Sequence, residues 1–125
     1  MPAGRGVLIV EDEPELRSLF ALLLEMENLT VFQANDGQAG LETLQKHRES
    51  IELMITDLGL PQLGGMELIS KVRSIKPSLK IIGTSGLSGV NVEEMVRSAG
   101  ADAFIPKPFT PHEAIKKVKE MMQTI

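Results

Sequence analysis

The chain comprises 125 residues, 42% of them hydrophobic and 24% charged, with a formal net charge of −4. This suits one packed domain over residues 1–125, and the scattered charges leave no basic stripe to follow a phosphate backbone, so direct nucleic-acid binding is not expected. Cysteine is absent, no apolar run reaches the roughly 18 to 20 residues of a bilayer span, and Met1 to Gly6 lacks the apolar core of a signal peptide; disulfides, thiolate metal sites and membrane insertion are excluded and a cytoplasmic location is expected.

Val7 to Val10 is a short, wholly apolar run, the pattern of a strand covered on both faces. It ends in Glu11-Asp12-Glu13. Pro14 then opens a helix whose Leu16, Leu19, Phe20, Leu23 and Leu24 repeat at i, i+3, i+4, i+7 and i+8, which predicts a core-facing stripe. A strand is expected near residue 31, followed after Asp36 by a weaker, more polar helix from Gly37 to Lys46. Leu53 to Ile55 marks a third strand that runs on to Asp57, and Pro61 to Gly65 breaks the chain before a helix carrying Leu68, Ile69, Val72 and Ile75. Beyond Pro77, Lys80 to Ile82 marks a fourth strand ending in Thr84-Ser85, and Val92, Met95, Val96 and Ala99 predict a helix with Met95 packed in the core. After Gly100 a fifth strand near residue 104 ends at Lys107, and Pro111 opens a last helix with Ile115, Val118, Met122 and Ile125 inward.

Alternation of strand and helix implies right-handed crossovers and a parallel sheet with helices on both faces, a (βα)5 sandwich. In such sheets ligands bind beyond the carboxyl ends of the strands, where Glu11, Asp12, Asp57, Ser85 and Lys107 fall. Each has an ordinary explanation alone: acids complement a helix start at Pro14, Asp57 and Ser85 can simply end strands, and Lys107 can be a solvated charge. Together they say more. Three converging carboxylates call for a cation, hard oxygen ligands select Mg²⁺ or Mn²⁺, and a nucleophilic carboxylate with a hydroxyl and a lysine beside the ion suits phosphoryl transfer to an aspartate.

The motifs Leu-Ile-Val-Glu-Asp-Glu-Pro, Ile-Thr-Asp-Leu-Gly-Leu-Pro-Gln-Leu-Gly-Gly-Met-Glu-Leu and Phe-Ile-Pro-Lys-Pro-Phe, in that order, resemble the signatures of two-component response regulator receiver domains across almost the whole chain. The resemblance implies a flavodoxin-like fold with strand order 2-1-3-4-5, which puts Pro106 on an edge strand where its missing N–H is tolerated. It implies that Asp57 is the phosphoacceptor, served by a sensor histidine kinase, a phosphotransfer protein or a small donor. Asp12, Asp57 and the Gly59 carbonyl would hold Mg²⁺, with Glu11 acting through a bound water. Glu11 departs from the family's commoner aspartate by one methylene. Lys107 would pair with Asp57 and later with the phosphoryl group, across a cis Lys107–Pro108 bond. Ser85 and Phe104 would be the switch residues, Ser85 drawing the Gly86 to Asn91 loop towards the phosphoryl group and Phe104 acting by packing alone. An output protein would dock on the fourth helix, fifth strand and fifth helix, where Met95, Met121 and Met122 are candidate contacts, and the domain would be a monomer or a phosphorylation-dependent dimer. His47 and His112 match no metal spacing and are expected on the surface.

The acidic loop after the first strand, with Trp and Tyr absent, argues against a flavin carrier. No P-loop or dinucleotide glycine fingerprint occurs, and the nucleophile pattern of haloacid-dehalogenase phosphatases is missing. A non-phosphorylated pseudo-receiver is opposed by Asp12, Asp57, Ser85 and Lys107 all being present. Ile-Ile-Gly-Thr-Ser-Gly-Leu-Ser also resembles receivers excised from hybrid sensor kinases. The expected role is a signalling domain rather than an enzyme.

Overall fold

A computed structural model describes residues 5–59, 63–86 and 91–123. Strand β1 (Gly6–Val10) is followed by α1 (Pro14–Glu25), β2 (Thr30–Ala34), α2 (Gly37–Lys46), β3 (Ile51–Asp57), α3 (Gly65–Ile75), β4 (Lys80–Ser85), α4 (Val92–Ala99), β5 (Ala103–Pro106) and α5 (Pro111–Met122). All pairings are parallel and the order is β2-β1-β3-β4-β5, so the order in which strands are added to the sheet reverses between β1 and β3.

Side chains alternate across each strand, and this divides the core in two. Val7, Ile9, Leu53 and Ile55 point to one face, where Phe20 and Leu24 of α1 and Ile115 and Val118 of α5 cover them. Leu8, Val10 and Met54 point to the other, against Leu44 of α2, Leu68 and Val72 of α3 and Val96 of α4. Both faces of β1 are buried, which explains its unbroken apolar run. The helices start where the backbone is relieved of unpaired donors: Asp36 Oδ1 accepts from Ala39 N at 2.7 Å, Thr110 Oγ1 accepts from Glu113 N at 3.1 Å, and Pro14 and Pro111 open α1 and α5.

Two expected core positions lie outside the core. Leu19 is 41% exposed and Met95 56% exposed. Successive helical residues are rotated by about 100°, so with Phe20 and Leu24 aimed at the sheet, Leu19 falls on the flank of α1. In α4 only Val96 is buried, and the same rotation turns Met95 away from the sheet. Ile125 and most of the Gly86 to Asn91 loop lie outside the described residues. Pro106 stands on the edge strand β5, opposite Ser85.

At the sheet end away from the acidic residues, Arg73 of α3 fixes the turn between α4 and β5. Its guanidinium donates to the carbonyls of Pro77, Leu79 and Gly100 at 2.7, 2.6 and 2.6 Å and to the Asp102 carboxylate at 2.8 Å. Asp102 also accepts from Ile81 N at 2.9 Å. Gly100 makes the turn with φ 125°, a left-handed conformation open to glycine.

The seat of α4 on the sheet is Gly83, where a Cβ would lie 2.6 Å from Val96 Cγ1. Gly83→Ala should therefore lower stability in urea unfolding by about 1–3 kcal/mol. In the Gly83→Ala, Val96→Ala double variant the two costs should be less than additive by about 1 kcal/mol; strict additivity would contradict this seating.

Candidate functional site

The parallel register brings the carboxyl ends of β1, β3, β4 and β5 level. Val10 pairs with Thr56, Asp57 with Thr84, and Ser85 with Pro106, so the residues just beyond these ends share one edge. Backbone bonds extend the alignment past the strands: Glu11 N donates to Ala34 O at 3.0 Å, Leu58 N to Thr84 O at 2.9 Å and Lys107 N to Ser85 O at 2.8 Å.

Lys107 is the centre of the cluster. Its Nζ donates to Asp57 Oδ2 at 2.9 Å and lies 3.4 Å from Glu11 Oε1. The other Asp57 oxygen, Oδ1, accepts from Gly59 N at 3.0 Å. Glu11 Oε2 accepts from Glu13 N at 3.1 Å, which folds the acidic loop back on itself. The side chains of Glu11 and Asp57 are 5% and 12% exposed, so their charges are poorly shielded by water, whereas Asp12 is exposed. The Lys107–Pro108 peptide is cis.

Burial pushes the Glu11 carboxyl above its ordinary value; the Glu13 amide and Lys107 oppose this, and the Asp57 charge and a hydrogen bond with Asp12 add to it. For Lys107, burial opposes the charge, but the hydrogen bond and attraction of Asp57, aided by Glu11, outweigh it and hold the ammonium above its ordinary value.

Glu11, Asp12 and Asp57 each place a carboxylate oxygen within 4.8 Å of the others. An octahedral Mg²⁺ with ligands at about 2.1 Å needs them about 3 to 4 Å apart, so the group is nearly assembled. A donor set made only of carboxylates fits a hard divalent cation.

Ser85 is buried at the end of β4. Thr84, the alternative hydroxyl, has Oγ1 3.5 Å from Thr56 O, inside the sheet, which leaves Ser85 as the hydroxyl of β4 at the strand-end edge. Phe104 is half-buried and packs on the α2–α3–α4 side of the sheet. Beside Lys107 a cleft of about 390 Å³ is lined by Glu13, Leu16, Gly86, Pro108 and Phe109, and Phe109 is steadied by stacking on Phe20 at 5.6 Å. His112 is exposed, and His47, half-buried, has its ring centroid 4.6 Å from that of Phe32; both lie apart from the acidic cluster. Leu60, Pro61 and Gln62 lie outside the described residues.

Two contacts at the site are not announced by the motifs. Arg17 Nη1 donates to Glu11 O at 2.8 Å, tying α1 to the end of β1. Gly65 lets α3 start against Asp57, since a Cβ there would lie 2.5 Å from Asp57 O. The sequence signal for the second is the Gly64-Gly65 pair, which reads there only as a helix breaker.

Residues 7–119 match the response regulator receiver domain family. Among curated relatives, the chain is 34% identical over 118 residues to the transcriptional regulatory protein CpxR homolog of Haemophilus influenzae, covering 94% of this chain and 50% of that protein. It is 33% identical over 117 residues to the transcriptional regulatory protein SrrA of Staphylococcus aureus, covering 94% and 47%. The receiver domain protein (CheY-like) of Methanospirillum hungatei matches with a TM-score of 0.87 at 30% identity, covering 96% of this chain and 94% of that one. The chain belongs to the response regulator receiver domain family. It spans about half the length of the curated relatives it matches.

In metal-free protein the raised Glu11 value gives a pH signature. Between the ordinary 4.5 and the higher folded value the folded state holds more protons than the unfolded one, so this group's contribution to stability falls as pH rises through that window. Glu11→Gln should remove that fall when unfolding in EDTA is followed against pH, and a parallel pair of stability profiles would contradict the assignment. The Lys107 contribution has its own window, being present below the ordinary 10.5 and lost as pH rises through the higher folded value.

Proposed function

We propose that Asp57 is the phosphoacceptor of a two-component or phosphorelay pathway and that its modification switches a protein-binding surface. The observation that carries this is the Lys107 ammonium at 2.9 Å from Asp57 Oδ2, inside a carboxylate cluster suited to a divalent cation. An Asp57 carboxylate oxygen attacks phosphorus as the bond to the donor breaks, the donor being a phosphohistidine of a sensor kinase or phosphotransfer protein, or acetyl phosphate. The product is an acyl phosphate on Asp57, and the donor imidazole or acetate leaves. Asp12, Asp57 and the Gly59 carbonyl would hold Mg²⁺, with Mn²⁺ an alternative and Glu11 acting through a water; bound there, the ion supplies positive charge against that developing on the transferred group.

The chain's own residues do the rest. Lys107 exchanges its bond to Asp57 for one to a phosphoryl oxygen. Ser85 donates its hydroxyl to the same group, and its displacement gives Phe104 a different packing against α4, since a phosphoryl group adds a charge of about −1.5 to −2 that a two-state loop can read. The apolar cleft beside Lys107 is where a donor imidazole would enter. Such a domain modifies itself once per signal, so it acts as a switch rather than an enzyme with turnover, and the length of its curated relatives supports coupling to an output protein or domain. Among the described residues no helix is long and apolar enough to cross a membrane.

Incubation with acetyl phosphate and Mg²⁺ should add the mass of one phosphoryl group by intact-mass spectrometry, with no gain in EDTA and none in Asp57→Asn. Gain persisting in Asp57→Asn would place the acceptor elsewhere, and no gain in the wild type would leave a constitutive interaction module. Lys107→Met should keep the fold and lose at least about tenfold in the labelling rate, because removing one stabilising contact to a transferred group costs on the order of 2–4 kcal/mol.

A further inference from the structure

We propose that the groove between α3 and α4 is a docking site for a cationic amphipathic helix of a partner protein. The groove is a shallow, open depression of about 780 Å³, with Met66 and Met95 as its apolar seat, Glu67 and Glu94 as acids, and Ser70 and Ser98 beside them. Met95 is the largest departure of α4 from its sequence pattern: it is 56% exposed and turned towards α3. The described lining comes from α3, α4 and Asn91 and includes no residue of β5 or α5, so the groove is distinct from the α4–β5–α5 face.

Charge selects the occupant. Among the described residues no basic side chain lines the groove. Lys71 pairs with Glu67 only at 4.0 Å, with both side chains about half exposed or more, an interaction worth little, and Lys71 lines the neighbouring α2–α3 surface instead. Arg97 is occupied elsewhere, by Glu93 at 2.9 Å and by Asp102 O at 2.9 Å. Glu94 has no ion-pair partner among the described residues. Glu94, without an ion-pair partner among the described residues, and Glu67, held only by the long exposed contact to Lys71, flank two adaptable methionines and fit a helix that places an apolar side chain every third or fourth residue and lysine or arginine beside it. A small anion or an acidic peptide is repelled by the same arrangement. Because α3 is held at Arg73 and α4 is seated at Gly83, an occupant bridging both helices would read the placement of α4 directly. The docking claim stands independently of phosphorylation at Asp57.

The probe is a synthetic peptide of leucine and lysine with helical amphipathic spacing and about five turns long, titrated into ¹⁵N-labelled protein beside a counterpart with glutamate in place of lysine. Amide shifts should centre on Met66, Ser70, Met95 and Ser98 for the lysine peptide alone. The Glu67→Lys, Glu94→Lys double variant and Met95→Ser should each weaken binding about tenfold, as expected for two reversed charge contacts or one lost apolar anchor, while Glu120→Lys on α5 changes it less than about twofold. Unchanged thermal midpoints would show that these exposed positions leave the fold intact. Shifts that map to another face, equal binding of the glutamate peptide, affinity unmoved by the groove variants, or groove shifts that depend on protein concentration without peptide, which would mean a second copy as occupant, would each overturn the proposal.

Discussion

The ion pair between Lys107 and Asp57, with Glu11 behind it, is the interaction on which the strand-end site depends. Three carboxylates from two strand ends would repel one another, and two of them are too buried for water to screen. Among the described residues, Lys107 is the cation that pairs with these acids. It can do so only because β5 stands beside β4 with Lys107 N bonded to Ser85 O, which delivers a side chain from the far edge of the sheet to an acid on β3. The site is therefore a property of sheet register: a slip of β5 by one residue would carry the ammonium to the opposite face. Among the described residues, one cation against three acids leaves the cluster short of positive charge, which a hard divalent cation would supply.

The same sheet links this edge to the helices. Ser85 ends the strand on which Gly83, two residues earlier, seats Val96 of α4, so the strand end and the helix seat are joined by one short run of backbone. At the other end of α4, Arg73, Asp102 and Gly100 fix the turn into β5 with several short bonds. A helix fixed at one terminus and seated on a single buried valine is well placed to be repositioned at the other terminus without loss of the fold.

Much of this was legible in the sequence because the relevant signals are local. The apolar run of β1, the prolines at Pro14 and Pro111, and the glycine after α4 each have one structural meaning, and strict alternation of elements left a parallel sheet as the natural solution. Glu11, Asp12, Asp57, Ser85 and Lys107 could be placed on one edge from strand ends alone. What escaped depends on rotation and distance. Leu19 and Met95 obey a helical stripe but sit about 100° from the buried line, and a stripe cannot show how wide a covered strip the sheet offers. The bond from Arg17 to the Glu11 carbonyl and the approach of Gly65 to Asp57 are matters of distance that no residue type announces, although Glu11, Asp57 and Gly65 lie within the quoted motifs. By residue type alone Thr84 and Ser85 are equivalent hydroxyls; the fold distinguishes them, since the Thr84 hydroxyl lies against the Thr56 carbonyl.

The central claim, that the strand-end carboxylates form a charge cluster built around a cation, is tested most directly by unfolding wild type and Asp12→Asn in EDTA and again in excess Mg²⁺. Neutralising Asp12 relieves repulsion in the metal-free protein and removes a ligand from the metal-bound one, so the order of stability should invert: the variant is the more stable in EDTA and the wild type in Mg²⁺. At tenfold above its dissociation constant the ion should stabilise the wild type by about 1.4 kcal/mol. The same ranking in both media, or no response of the wild type to Mg²⁺, would contradict the account.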